Sequence, residues 1–303
     1  MPRPFASFAR LFLALLILLA FAGCARFKKE DPLETLPLES LYQEAKDALT
    51  AGNNSRALRY YQRLVARFPY GPYTEQAQLE LAYAQYRGNK LEDATSTINR
   101  FIRTYPAHKE IAYAYYLKAL INFGYGNSII TRLAGLDMTQ RDLDGMHQSF
   151  NDFNELLRRY PNSRYAADSR QRMIYLRNLM ARHEINVALF YLDRRAYVAA
   201  ANRGKYVLEN YAQSQHDGDA MAVMAEAYKQ LHQEKLEADS LRVLRLNYPQ
   251  HPYLSGDWPG SRSLWRKLFP GGENKRWENS ENAAVPPPSM SQSAIAALSS
   301  SPN

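Results

Sequence analysis

The sequence predicts an all-α protein in which pairs of helices stack into a solenoid. Three observations predict this fold. Helix-breaking residues cluster between segments, five segments end on an aromatic residue, and small residues recur at fixed distances before those endings. An aromatic side chain packs at the end of a helix, and a following proline stops the helix. The five endings are Phe68-Pro69, Tyr105-Pro106, Tyr160-Pro161, Tyr211-Ala212 and Tyr248-Pro249.

The spacing of these endings identifies the repeat. The intervals between them are 37, 55, 51 and 37 residues, and the shortest lie near the 34-residue period of tetratricopeptide repeats, each a helix-turn-helix. Two helices of this kind pack closely only if small side chains lie where they cross. The alanine pairs at the predicted crossings are Ala45 with Ala57, Ala82 with Ala94, Ala188 with Ala200 and, one residue out of register, Ala225 with Ala238.

The two long intervals contain insertions. In the third unit, Gly and apolar residues at 127–144 predict a packed loop. In the fourth, the stretch 167–195 has no Pro or Gly, and its apolar residues recur at helical spacing, so we predict one long helix that extends beyond its repeat. The predicted solenoid has five helix pairs, about ten helices. Its repeats are 38–72, 73–108, 109–163, 164–214 and 215–254.

The start of the chain has the features of a bacterial secretory signal. Arg3 and Arg10 precede a short apolar run, and small residues lie before Cys24. A membrane span needs about 20 apolar residues, and the run Leu11–Gly23 is shorter. A plain secreted protein would retain a free thiol. Residues 1–23 are therefore predicted to be a lipoprotein signal peptide.

Cys24 is the predicted lipidation site. The Ala-Gly-Cys ending resembles that of lipoprotein signals, although Phe21 stands where such signals usually carry Leu. The resemblance implies an S-diacylglycerol and an N-acyl group on Cys24, followed by a tether over 24–37. Ala25 favours passage to the outer membrane, because Asp at that position commonly retains a lipoprotein at the inner membrane. Cys24 is the only cysteine, so the chain forms no internal disulfide.

The sequence contains no recognisable catalytic or metal-binding motif. It has no His-x-x-x-His pair, nucleophile elbow or phosphate loop, and the single cysteine is assigned to lipid. We therefore expect no enzyme activity, no metal and no cofactor beyond the lipid. Removal of residues 1–23 takes away Arg3 and Arg10, so the net charge falls from +8 to +6. This charge suits an anionic surface or an acidic partner, whereas nucleic acid is a poor fit for an exported chain with dispersed Lys and Arg.

Aromatic residues predict a peptide-binding groove. In such solenoids the first helix of each pair lines the concave face, and aromatic side chains recur at its groove positions in the first three units. Aromatic rings supply a large contact area with few rotatable bonds, so we predict binding of an extended apolar or aromatic peptide. The alternative is that individual rings pack between repeats. The predicted groove residues are Tyr42, Tyr83, Tyr86, Tyr113, Tyr116 and Phe123.

The last two units are richer in charge. Arg194, Arg195 and Arg203 are predicted to bind an acidic partner, because Arg pairs with carboxylates in a planar, bidentate manner. A solvated face is the alternative for each of them. Residues 255–303 are rich in Gly, Pro and Ser and are predicted to be mostly disordered. Their aromatic and basic part, 258–277, either touches a membrane or partner, or caps the last repeat.

Five local stretches carry a resemblance to a known family. Together with the insert and the long helix, they resemble the BamD family, the repeat lipoproteins of the outer-membrane β-barrel assembly machinery, over about residues 24–252. The stretches are the lipoprotein box at Cys24, Arg67–Tyr73, Asp93–Arg103, Arg159–Ser163 and Val198–Arg203.

The resemblance implies a non-enzymatic scaffold and substrate receptor on the periplasmic face of the cell outer membrane. It implies that the C-terminal units dock on periplasmic domains of BamA, the barrel-inserting subunit, and that the chain contacts other Bam lipoproteins. It also implies capture of unfolded outer-membrane β-barrel precursors by the N-terminal units, and the aromatic-rich last strand of such precursors suits the groove. The alternative is a repeat lipoprotein that scaffolds cell-wall synthesis or tethers the envelope.

Overall fold

The computed structural model describes residues 32–126 and 143–258, and the fold is all-α as predicted. Within these ranges there are eleven α-helices and one 3₁₀ turn, and no strand. The helices are α1 Pro32–Thr35, α2 Leu38–Thr50, α3 Asn54–Arg67, α4 Pro72–Arg87, α5 Leu91–Thr104, α6 Ile111–Gly126, α7 Asp144–Arg159, α8 Ala166–Asp193, α9 Tyr197–Asn210, α10 Asp217–Gln230 and α11 Glu234–Asn247, and the 3₁₀ turn is Pro252–Ser255.

The second helix of each pair ends at the aromatic residue that marks the repeat in the sequence. At each of these residues φ lies between −126° and −135°, outside the helical region. Each backbone N–H still donates to the carbonyl four residues earlier, so the aromatic residue closes the last turn. The five C-terminal residues are Phe68, Tyr105, Tyr160, Tyr211 and Tyr248.

The described chain divides into two compact units, one up to Thr74 and one from Glu75. In the first unit, α2 packs against α3. The Arg67 guanidinium donates to the carbonyl oxygens of Leu33 and Leu36 at 2.8 and 2.9 Å, and Arg63 forms an ion pair with Glu34. These bonds hold α1 against α3, so residues 32–36, predicted as part of a tether, are instead folded.

In the second unit, consecutive helices from α5 to α11 pack against one another. The long helix α8 has 28 residues and also contacts α10, the first helix of the next pair. Contact between the first helices of successive pairs is the stacking expected of a repeat protein, because it buries a continuous core. Backbones approach closely between α9 and α10, where a Cβ on Gly204 would lie 2.8 Å from the Ala220 carbonyl oxygen.

Of the four alanine pairs predicted at helix crossings, three are fully buried. Ala45 and Ala57, Ala82 and Ala94, and Ala188 and Ala200 are all at 0% exposure. In the last pair Ala225 is buried, but Ala238 is exposed, so its assignment to a crossing was wrong. The reason is register: Ala57, Ala94 and Ala200 are each the fourth residue of their helix, and the fourth residue of α11 is Glu237.

The predicted signal peptide, Cys24, most of the insert and most of the C-terminal tail lie outside the described residues. Of the tail, only residues up to Trp258 are described, and Trp258 itself is 3% exposed.

Candidate functional site

The predicted groove residue of the first unit, Tyr42, is buried within its helix pair. Its side chain is 5% exposed. The ring makes edge contacts with Tyr61, at 6.3 Å between centroids, and with Tyr73, at 5.3 Å. Tyr73 is the outer member of this group and remains 38% exposed. A ligand at this point therefore meets Tyr73 before Tyr42.

Two predicted groove residues of the third helix pair, Tyr113 and Tyr116, belong to a buried aromatic layer. We define this layer as Tyr113, Tyr116, Phe153 and Tyr165. Tyr116 stacks on Tyr165 with 4.9 Å between centroids and 20° between planes. Tyr113 contacts the same ring at 5.5 Å, and Phe153 contacts Tyr116 at 6.1 Å. All four side chains are less than 8% exposed, so the layer ties α6, α7 and α8 together.

An ion pair on α8, with Arg172 buried and Asp168 half-buried, supports the aromatic layer from one side. The Tyr116 hydroxyl donates to Asp168 Oδ2 at 2.6 Å, and Arg172 Nε donates to the same oxygen at 2.6 Å. Burial raises the pKa of Tyr116, the charge of Arg172 opposes this, and the bond to Asp168 adds to the rise. The Arg172 guanidinium also lies over the Phe123 ring, 6.0 Å from its centroid.

A second buried polar group links α6 to α7. Asp152 accepts a bond from Asn122 Nδ2 on α6, and its other oxygen lies 2.9 Å from Lys118 Nζ. Ser149 donates to the Ala119 carbonyl at 2.9 Å. Buried carboxylates are found where such partners are in place. Neither this group nor the Asp168–Arg172 pair was predicted. The only signal in the sequence is the i, i+4 spacing of Asp168 and Arg172.

Most of the predicted groove residues have buried side chains. Tyr83 is 5% and Phe123 7% exposed, and Tyr83 accepts a bond from Arg87. Only Tyr86, among the six predicted residues, is half-buried. The alternative considered for these residues, packing between helices, describes the other five. Their role in substrate binding stays a prediction.

Arg203 of the predicted basic surface already has an internal partner. Its Nη1 donates to Glu184 Oε2 at 2.9 Å, linking α9 to α8. The Glu184 side chain is 8% exposed and that of Arg203 is 43% exposed. Burial lowers the pKa of Arg203, but the Glu184 carboxylate and the Tyr191 hydroxyl together outweigh it and the pKa is raised. One edge of the guanidinium is thus held by Glu184, while much of the side chain remains accessible.

Exposed apolar side chains lie on the same pair of helices. Phe190 is 51% exposed, and the Arg194 guanidinium lies over its ring at 4.4 Å from the centroid. Val198 and Tyr206 on α9 are 60% and 39% exposed. We call the set Phe190, Arg194, Arg195, Val198, Arg203 and Tyr206 the arginine surface.

Arg195 occupies a strained backbone position in the turn between α8 and α9. Its φ is +61°, in the left-handed region that a side chain with a Cβ rarely adopts. The corresponding turn of the first pair has Gly52 at +75°, and the second and fifth pairs have Asn89 and His232 at +56°. The side chain of Arg195 is exposed. The turn between α8 and α9 therefore places a positive charge in solvent.

The described residues contain no group of three or more His, Cys, Asp or Glu side chains that could hold a metal ion. None of the described helices is both long and apolar enough to cross a membrane. Consecutive helices packed in pairs, with contact between the first helices of successive pairs, define a helical-repeat protein.

The family follows from comparison with known proteins. Residues 35–244 match the model of the YfiO family, described as an outer membrane lipoprotein. The chain belongs to this family.

Relatives from three genera have the same name. A protein of Xylella fastidiosa strain 9a5c is 46% identical over 87% of this chain and 90% of its own length. A protein of Neisseria gonorrhoeae is 37% identical over 82% of this chain and 95% of its own. A protein of Vibrio cholerae is 35% identical over 72% and 89%. Each is named outer membrane protein assembly factor BamD.

Proposed function

We propose that this chain is a lipid-anchored, non-catalytic scaffold and substrate receptor in the assembly of outer-membrane β-barrel proteins. The observation that carries the proposal is the match over most of the chain to outer membrane assembly factors, together with an exposed arginine surface on a helical-repeat frame. The names of the relatives favour this function over scaffolding of cell-wall synthesis.

The anchor is Cys24, with a diacylglycerol on its sulfur and an acyl group on its amine. Two signals or more are needed for stable membrane attachment, and three acyl chains satisfy that need. The anchor places the chain on the periplasmic face of the outer membrane, in keeping with its family of outer membrane lipoproteins.

The arginine surface docks a periplasmic domain of the barrel-inserting subunit, BamA. Arg and aromatic residues are enriched at protein interfaces and at their energetic centres. Phe190 and Val198 provide exposed apolar area, and Arg194 and Arg203 provide guanidinium groups for acidic side chains. Other Bam lipoproteins contact the chain elsewhere.

Substrate capture is assigned to the first three pairs. Because most of the predicted groove rings are buried, the strand of an unfolded precursor meets accessible rings, among them half-buried Tyr86 in the second pair and the exposed Tyr70 and Tyr73. A photoreactive residue at position 86 or 190 tests the whole proposal in living cells. Adducts with barrel precursors at 86 and with the barrel-inserting subunit at 190 are expected, and adducts with cell-wall synthases at both positions would contradict it.

Charge reversal of Arg203 tests the docking surface. Arg203→Glu is expected to reduce recovery of the barrel-inserting subunit at least ~10-fold, since loss of an interface arginine at a charge pair costs about 2 kcal/mol or more. The matched control is Glu184→Gln, which removes the internal ion pair and leaves the guanidinium in place. Recovery that falls equally in both variants would show that Arg203 acts only inside the chain.

A further inference from the structure

The last described helix, α11, buries fewer side chains than the other second helices do. Among the described residues, α3, α5 and α9 each bury four side chains and α7 buries five, whereas α11 buries only Ser240 and Leu244. Leu246 is 77% and Leu236 42% exposed. A solenoid that ends on such a face needs a cap, because terminal repeats otherwise expose their core.

A cavity of about 300 Å³ lies on this face. Its wall on α11 is the stripe Glu237, Leu241 and Arg245, one helical turn apart. In the preceding pair, 37 residues earlier, the positions that match Glu237 and Leu241 are Ala200 and Gly204, and Gly204 lies against Ala220 of α10. The cavity therefore occupies the place where the first helix of a next pair would pack.

The end of the described chain forms the opposite wall of this cavity. Tyr253, Leu254, Gly256 and Trp258 line it, and the Tyr253 hydroxyl donates to Glu226 on α10 at 3.0 Å. The chain thus folds back over the last pair and leaves from the edge of the cavity.

A buried carboxylate fixes that exit point. Asp219 on α10 accepts a bond from Trp258 Nε1 at 3.3 Å, and its oxygens lie 3.0 and 3.2 Å from ring nitrogens of His216 and His251. Burial would raise the pKa of Asp219, but the two histidines outweigh it and lower the pKa to about 2. The carboxylate is therefore ionised throughout the physiological range and holds Trp258 in place.

The sequence that follows Trp258 has the pattern of a short amphipathic helix. Leu264, Trp265, Leu268 and Phe269 fall on one side of a helix with 100° per residue, Arg266 and Lys267 fall on the other, and Arg262 falls at the edge of the apolar side beside Phe269. The segment ends in Phe269-Pro270, the same aromatic-proline ending that closes the second helices of the described pairs. A helix this short is not stable alone in water and needs a surface to pack on.

We propose that residues 261–269 form a capping helix that docks its apolar side into the cavity beside α11 of the same molecule. The connection permits it: Ser261 is three residues after Trp258, a reach of about 10 Å, and Trp258 itself lines the cavity. The occupant is this segment rather than a separate chain, because the covalent link holds it at the mouth of the cavity at a high effective concentration.

Hydrogen exchange of α11 in the mature full-length chain tests the cap, with Cys24→Ser to remove lipidation. Trp265→Ser is expected to speed the exchange of α11 amides roughly tenfold or more, since it removes a large buried apolar surface. The matched control is Trp277→Ser, a tryptophan of the same tail outside the segment, which should leave α11 unchanged. Light scattering should give the mass of a monomer for both variants.

Three results would overturn the proposal. Equal exchange in the two variants would mean that residues 261–269 do not cover α11. Protection that depends on protein concentration and accompanies a dimeric mass would assign the face to a second copy. Protection that appears only with vesicles of phosphatidylethanolamine and phosphatidylglycerol would assign the segment to a membrane surface.

Discussion

The aromatic layer and the arginine surface both contain aromatic rings and arginines, but they differ in what covers them. In the aromatic layer, Tyr116 is 4% exposed and its hydroxyl is bonded to a carboxylate. In the arginine surface, Phe190 is 51% exposed, with the guanidinium of Arg194 over its ring and Tyr191 at its edge.

This difference separates two uses of the same residue types. Where three helices converge, rings and a charged pair form a packed core, and their removal costs folding free energy. Where the fourth pair faces solvent, the same groups cost little to remove and remain available to a partner. Residues chosen for binding from the sequence alone were drawn from both regions, and only the contacts distinguish them.

The largest effect is expected in the aromatic layer. Tyr116→Ala should lower the free energy of unfolding by about 3–5 kcal/mol, because it empties the site of a large buried ring. Urea denaturation followed by circular dichroism measures this. As a control, Tyr116→Phe keeps the ring and loses only the hydroxyl bond to Asp168, so about 1–2 kcal/mol is expected.

The same variants sharpen the groove hypothesis. If Tyr116 acts only in folding, a peptide from the last strand of a barrel protein binds the folded fraction of Tyr116→Ala as tightly as the wild type. Weaker binding by fully folded Tyr116→Phe would instead assign the hydroxyl a direct role with the ligand.

A smaller effect is expected beneath the arginine surface. Gly204→Ala should lower the free energy of unfolding by about 1–3 kcal/mol, because the new Cβ meets the Ala220 carbonyl oxygen at 2.8 Å and a backbone atom cannot easily move. The matched control is Gly124→Ala on α6, where the nearest atom is a flexible Leu91 methyl at 3.4 Å. A stable Gly204→Ala protein would mean that α9 shifts freely over α10.

The smallest effect is expected at Arg195 and has the opposite sign. Arg195→Gly should raise the free energy of unfolding by roughly 0.5–1 kcal/mol, because glycine adopts a φ of +61° without steric cost. Arg195→Ala removes the same charge without relieving the strain and serves as the control. Equal loss of partner binding in both variants would show that the Arg195 guanidinium contributes to partner binding. A loss in Arg195→Gly alone would assign it to the rigidity of the turn.

Much of the fold could be predicted because its signals are local. The aromatic-proline endings are read directly from the chain, and each of the five aromatic residues closes a helix. Buried alanines at the crossings follow from the same period. The failure at Ala238 is one of register, since α11 begins 37 residues after α9 and Glu237, not Ala238, therefore stands where Ala200 stands in α9.

The candidate site was harder to predict because exposure depends on distant residues. Nothing near Tyr116 in the sequence indicates that Tyr165 and Asp168, about 50 positions later, cover it. Likewise the internal partner of Arg203 is Glu184 on another helix, which no local motif identifies.

Helix α8 joins the two regions and also fixes the relative direction in which their side chains leave the helix. Arg172 and Phe190 are 18 residues apart on one continuous helix, which is five complete turns and about 27 Å. The two side chains therefore leave the helix in the same direction, one into a covered stretch and one into an open stretch. Loss of a single residue between them would turn one region by about 100° relative to the other. An insertion or deletion in α8 therefore preserves the relative orientation of the two regions only if it adds or removes close to a whole number of turns.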